Sequence, residues 1–255
     1  MQTTVEKELK RFSRAEDRMR QKAHKDEMQW KKDLEQKIPE KALTNLKGVF
    51  NKAFQIIFDK GTDLIEKTYK KEEITKDFLV RDYAIDLEMN QKDLLMLNTS
   101  SELSNLVSLV ASTVEGVGLG ALGIGLPDVV LFVSVILRGC YETALRYGFS
   151  YDSPEERYFI LTVLEGSMLK GELWDSCNDL VNAMMLELPS TSDEELVTQM
   201  RHTSDAFAVD MLLAKFIQGI PVVGMVGGLA NPLYYRRILN YVRLKYKKRY
   251  LLAKK

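Results

Sequence analysis

Four carboxylates lie in apolar stretches, Glu115, Asp128, Glu142 and Glu165. An acid in such surroundings has a raised pKa and can exchange protons near neutral pH. Arg138 and Arg146 stand four residues to either side of Glu142, a spacing that predicts a structural ion pair on one helix. Asp128 follows Pro127 at an expected helix start, where it can satisfy free backbone amides. Glu115 has no partner at helical spacing, so Glu115 and Asp128 are the acids that could serve a small hydrolase-like pocket. The only histidines are His24 and His202, and Ser204 and Asp205 follow His202 too closely on a helix to form a nucleophilic triad with it. No His/Cys spacing suits a metal, so no catalytic residue, metal or cofactor is predicted. Gly118-Leu119-Gly120-Ala121-Leu122-Gly123 spells G-x-G-x-x-G. It follows a helical run rather than a strand, so its glycines suit close helix approach better than a nucleotide.

The other concentration of chemistry is cationic. Residues 236–255 carry nine Lys/Arg and no Asp/Glu, residues 38–235 carry sixteen against twenty-eight, and residues 1–37 carry eleven against eight. A basic end on an acidic body is the electrostatic footprint of an anionic partner. Tyr235, Ile238, Leu239, Val242, Tyr246 and Tyr250 fall on one helical face, and Arg236, Arg237, Arg243, Lys245, Lys247, Lys248 and Arg249 spread over the rest. This predicts a basic amphipathic helix whose cations and Tyr246 and Tyr250 meet an anionic membrane surface. No nucleic-acid-binding signature accompanies it, and no nucleic acid is expected as a partner.

The elements that position these residues are helical, and strand periodicity is almost absent, so an all-α fold is predicted. Residues 1–37 form a charged N-terminal helical extension with a thin apolar stripe, Val5, Leu9, Phe12, Met19 and Ala23, interrupted by Glu16. Ile38-Pro39-Glu40 ends it and starts the body, residues 38–255. Gly61, with Thr62 and Asp63, predicts a stop and a fresh cap, and Ser153-Pro154-Glu155-Glu156 and the Ser-Asp-Glu-Glu run at 192–195 predict helix starts. Between Leu103 and Leu137 the only charges are Glu115 and Asp128, and residues 216–235 carry none. Glycines and prolines break both runs, which predicts two apolar helical hairpins at the centre of a single domain. Whether they stay in the core or enter one leaflet of a bilayer, the sequence leaves open. Cys140 and Cys177 lie in apolar helical patterns and no apolar leader precedes the charged N-terminus, so reduced thiols and a cytoplasmic setting are expected.

Five motifs add a resemblance: I-P-E-K at 38–41, G-L-P-D at 125–128, R-G-C-Y-E-T-A-L-R-Y-G-F at 138–149, S-P-E-E-R at 153–157 and G-I-P-V-V-G-M-V-G-G-L-A-N at 219–231. Over residues 38–250 the chain resembles the EcsC family of bacterial proteins, and the extension before Ile38 falls outside the resemblance. The resemblance implies a mostly helical protein, named for a gene beside an ABC transporter, and it brings no catalytic residues. The expectation is a non-enzymatic accessory protein, peripheral or monotopic at the inner face of the cell membrane, assisting or regulating ABC transporter components.

Overall fold

The computed structural model describes residues 4–37, 39–87, 127–217 and 232–255, and among them it is all-α, with nine helices and no strand. In chain order they are α1 (Thr4–Lys37), α2 (Glu40–Ile56), α3 (Thr62–Glu66), α4 (Lys71–Leu87), α5 (Pro127–Arg146), α6 (Pro154–Gly166), α7 (Gly171–Met184), α8 (Asp193–Ile217) and α9 (Pro232–Ala253). Residues 88–126, with Glu115 and the G-x-G-x-x-G run, and residues 218–231 lie outside the described residues, so most of both expected hairpins does too.

Two helix starts form as their sequences dictate. The Ser153 hydroxyl accepts a hydrogen bond from the Glu156 amide at 3.2 Å with Pro154 in the first turn of α6, a cap worth about 1 kcal/mol. Before α8, the Ser192 hydroxyl accepts from the Glu195 amide at 3.3 Å while the Glu195 carboxylate accepts from the Ser192 amide at 2.8 Å. Gly61 does not stop the helix before it. The backbone widens into a π turn over Ile57–Gly61 and runs on as α3 without a side-chain cap, because Gly61 keeps right-handed helical angles. Gly171 does open α7, at φ +57, and a Cβ there would collide with the Glu27 carboxylate of α1.

The core is aromatic at its centre. Phe50 of α2, Phe132 of α5 and Phe207 of α8 pack mutually with ring centroids 5.6 to 6.3 Å apart, in tilted or edge-on contacts. Alongside, α5 and α9 approach closely at Gly139, where any Cβ would lie 2.7 Å from Leu239 and from the Tyr235 hydroxyl. Helix α6 runs antiparallel to α9, since Glu156 and Phe159 meet Tyr246 while Met168 beyond its end meets Tyr234. Helix α1 lies along α7, α8 and α9. Its Val5, Phe12 and Ala23 are buried in the same core cluster as the body's residues.

Candidate functional site

The basic carboxyl-terminal helix is where sequence and chemistry point, and the structure places it inside the bundle. Pro232 opens α9 at a position where its missing amide costs nothing. Tyr235, Ile238, Leu239, Val242, Tyr246 and Leu251 then all face the core. The cations follow them in. Lys245 is 0% exposed and Lys247 7%, and Tyr246 and Tyr250 are buried. Arg249 and Lys248 keep 11% and 19% of their side chains in solvent, and Arg243 is half-buried. Arg237 is partly covered, and Arg236 is exposed. The expected cationic, tyrosine-bearing outer face is therefore not what α9 presents. Helices packed on several sides of α9 supply acids at matching heights, and burial of the helix brings its charges with it.

Each acid has a defined place. Glu156, held in the first turn of α6 by the Ser153 cap, accepts from the Tyr246 hydroxyl at 2.6 Å and from Arg249 Nη1 at 2.9 and 2.7 Å. The Arg249 guanidinium lies 4.0 Å from the Phe149 ring centroid and 4.8 Å from that of Phe159, a cation–π contact on each. Asp210 of α8 accepts from the Tyr234 hydroxyl at 2.9 Å and from Arg237 at 2.5 Å, with Lys170 at 3.2 Å. Burial alone would raise its pKa, but Arg237 and Lys170 together hold it below the usual carboxylate value.

From α1, Glu16 meets both Lys245 and Lys248, and Asn178 and Asn182 of α7 accept from the same ammonium groups. Burial pushes Lys245 down to about 8 against the pull of Glu16. Glu16 itself is held low, since its two lysines outweigh the effect of its burial. Glu8 lies 3.6 Å from Lys247, whose ammonium is 5.4 Å from the Phe12 ring. Asp82 of α4 accepts from the Tyr250 hydroxyl at 2.7 Å and pairs with Lys254 at 2.8 Å.

Elsewhere, Glu142 bonds Arg138 Nε at 2.8 Å and lies 3.6 Å from Arg146, the ion pair its spacing predicts. Glu165 is raised by burial and accepts from Gln199 at 2.6 Å. Asp128 lies in the first turn of α5. His24 bonds Asp175 at 2.8 Å, and His202 is exposed. Both thiols are free and buried, and burial pushes Cys177 up to about 12, far from a reactive thiolate. Among the described residues no cluster of His, Cys, Asp and Glu is arranged to hold a metal, and no helix is long and apolar enough to cross a membrane.

Sequence reasoning overlooked Glu16, Glu156 and Asp210 as partners of the basic helix. For Glu16 a signal exists: it shares a face with Phe12, Met19 and Ala23, and a carboxylate in an apolar stripe needs a buried cation. Asp210 carries the same mark, as the only charge in the apolar run 206–214.

The EcsC protein family profile matches residues 3–251, taking in α1, which the motif resemblance had left out. No curated protein and no solved structure gives a match.

Proposed function

The chain belongs to the EcsC protein family, and from that premise we propose that it is a non-enzymatic accessory protein that associates with a membrane at its inner face. One observation carries the reading. Phe132, in the second turn of α5, lies 5.9 Å from Tyr234 in the first turn of α9, and Phe207 of α8 lies 6.1 Å from Phe132. Asp210, two turns before the end of α8, bonds Tyr234 and Arg237. The starts of α5 and α9 and the closing turns of α8 therefore gather at one end of the bundle. The apolar, Gly/Pro-broken stretches that precede α5, with Glu115 as the one charge from Leu103 on, and that join α8 to α9, with none, both connect there. Two apolar stretches tethered to one end, beside the exposed Arg236, suit entry into a single leaflet. The partner to test first is an ABC transporter, a choice resting on the family resemblance alone.

A bimane probe on Val223→Cys tests the reading, because both native thiols are buried. With vesicles of brominated lipid, its fluorescence is expected to be quenched, while the same probe on the exposed Leu186→Cys is unaffected. Equal fluorescence of the two probes with and without vesicles would remove the insertion reading.

A further inference from the structure

The pairing inside the bundle has a consequence on the outer side of α1. Val5, Glu8, Phe12 and Ala23 are buried, and Glu16 sits with them against Lys245 and Lys248. Two of the carboxylates of α1 are thereby drawn inward by the lysines of α9, and a row of its bases over residues 7–25 is left outside. Lys7, Arg11, Arg14, Arg18, Lys22 and Lys25 are all exposed. Their spacings of four, three, four, four and three residues keep them within about a quarter of the helix circumference, centred about 120° from Phe12. Lys10, also exposed, falls beside them, and the exposed acids Glu6 and Asp17 lie off the row. Arg11 is tied to Glu8, but among the described residues no ion pair engages Lys7, Lys10, Arg14, Arg18, Lys22 or Lys25. The row runs for about 27 Å at the α-helical rise.

We propose that this stripe on α1, and not α9, is the surface through which the protein docks on an anionic lipid bilayer. A straight row of cations on a docked helix matches a flat sheet of headgroup charge, which asks for no shape complementarity and rewards each Lys or Arg separately. No aromatic side chain interleaves the row to stack on bases, which separates it from a single-strand-binding surface. The choice of a bilayer as partner rests on the membrane reading above, but not on insertion of the apolar stretches.

The test is sedimentation of the full chain with two kinds of vesicle, phosphatidylcholine alone or with about one-third phosphatidylglycerol. The variant Lys7→Gln/Arg14→Gln/Arg18→Gln/Lys22→Gln is compared with a control that neutralises four exposed cations elsewhere, Lys52→Gln/Lys67→Gln/Lys76→Gln/Arg201→Gln. All eight positions face solvent, and matching circular dichroism and melting curves verify that both variants are folded. The wild type and the control are expected to bind the anionic vesicles at least about tenfold more tightly than the stripe variant, and added salt to weaken them. Arg14→Lys/Arg18→Lys is expected to bind like the wild type.

Binding of the stripe variant within about twofold of the wild type would overturn the proposal. So would tighter binding of the wild type to duplex DNA than to the vesicles, lost with the same substitutions. Stripe-dependent binding without quenching of the probe on Val223→Cys supports the stripe and removes insertion. Quenching with binding indifferent to the stripe overturns the stripe and leaves insertion standing.

Discussion

Asp210 sits between Lys170 and Arg237 with the Tyr234 hydroxyl donating to it, and its own side chain is buried while Arg237 stays partly in solvent. Burying a carboxylate costs several kcal/mol unless its partners are held in good geometry, and removing one member of such a pair leaves the other uncompensated. The folded-state pKa of Asp210 is lowered, so its contribution to stability is complete above the ordinary carboxylate value of 3.8 and is lost as pH falls through that value toward the folded one. Glu16 is lowered in the same direction and adds to the same acid limb. Asp210→Asn is expected to destabilise the protein by about 3 kcal/mol at neutral pH, measured as a shift in the urea midpoint. The gap between variant and wild type should narrow as pH drops below about 4, where the carboxylate of the unfolded wild type takes up a proton that the folded protein accepts only at lower pH. A gap of constant size across pH would show that Asp210 contributes packing rather than charge.

At the scale of elements, α1 is held by a mixture that neither its apolar stripe nor its charges would supply alone. Val5, Phe12 and Ala23 give a thin buried seam, while Glu8 and Glu16 reach the lysines of α9 and Arg20 and His24 reach Asp175 of α7. Glu16→Leu would leave Lys245 buried with only amide oxygens around it. Amide exchange over residues 5–25 is therefore expected to accelerate at least about tenfold, with that of α6 little changed, and Glu16→Leu/Lys245→Met should recover much of the protection. Unchanged exchange in α1 would mean that the apolar seam suffices. The same contacts mark what the sequence could reveal. Caps such as Ser153 and Ser192 act over three residues, so they are legible. The Glu142 pair acts over four and is legible as well. Gly61 misleads, because a glycine tolerates the right-handed angles of a π turn as readily as it ends a helix. The site was half legible. The basic helix and its tyrosine face stand out by periodicity, but what meets them comes from Glu16, Glu156, Asp210 and Asp82, all more than twenty residues away along the chain. A helical wheel reports which residues share a face and is silent about which acids arrive from elsewhere to cover it.

For the whole molecule, the chain's balance of 36 basic and 36 acidic residues is achieved across space more than along the sequence. The body's surplus of acid and the carboxyl-terminal surplus of base meet at helix interfaces, so α9 behaves as a central element rather than an appendage. Its last turns insert Tyr246, Tyr250 and Leu251 into the core and place Arg249 between Phe149 and Phe159. A docking tail could be removed without harm to the fold, whereas a central helix could not. Truncation after Leu244 would strip the counterions from Glu16, Glu156 and Asp82 at once and open a void where two tyrosines and a leucine pack. Losses of that kind exceed the 5–15 kcal/mol by which a typical domain is stable. The truncated chain is thus expected to lose its near-ultraviolet circular dichroism and its cooperative thermal transition. Retention of both would return α9 to the surface and its lysines to the membrane, and would make the stripe on α1 unnecessary as the site of contact.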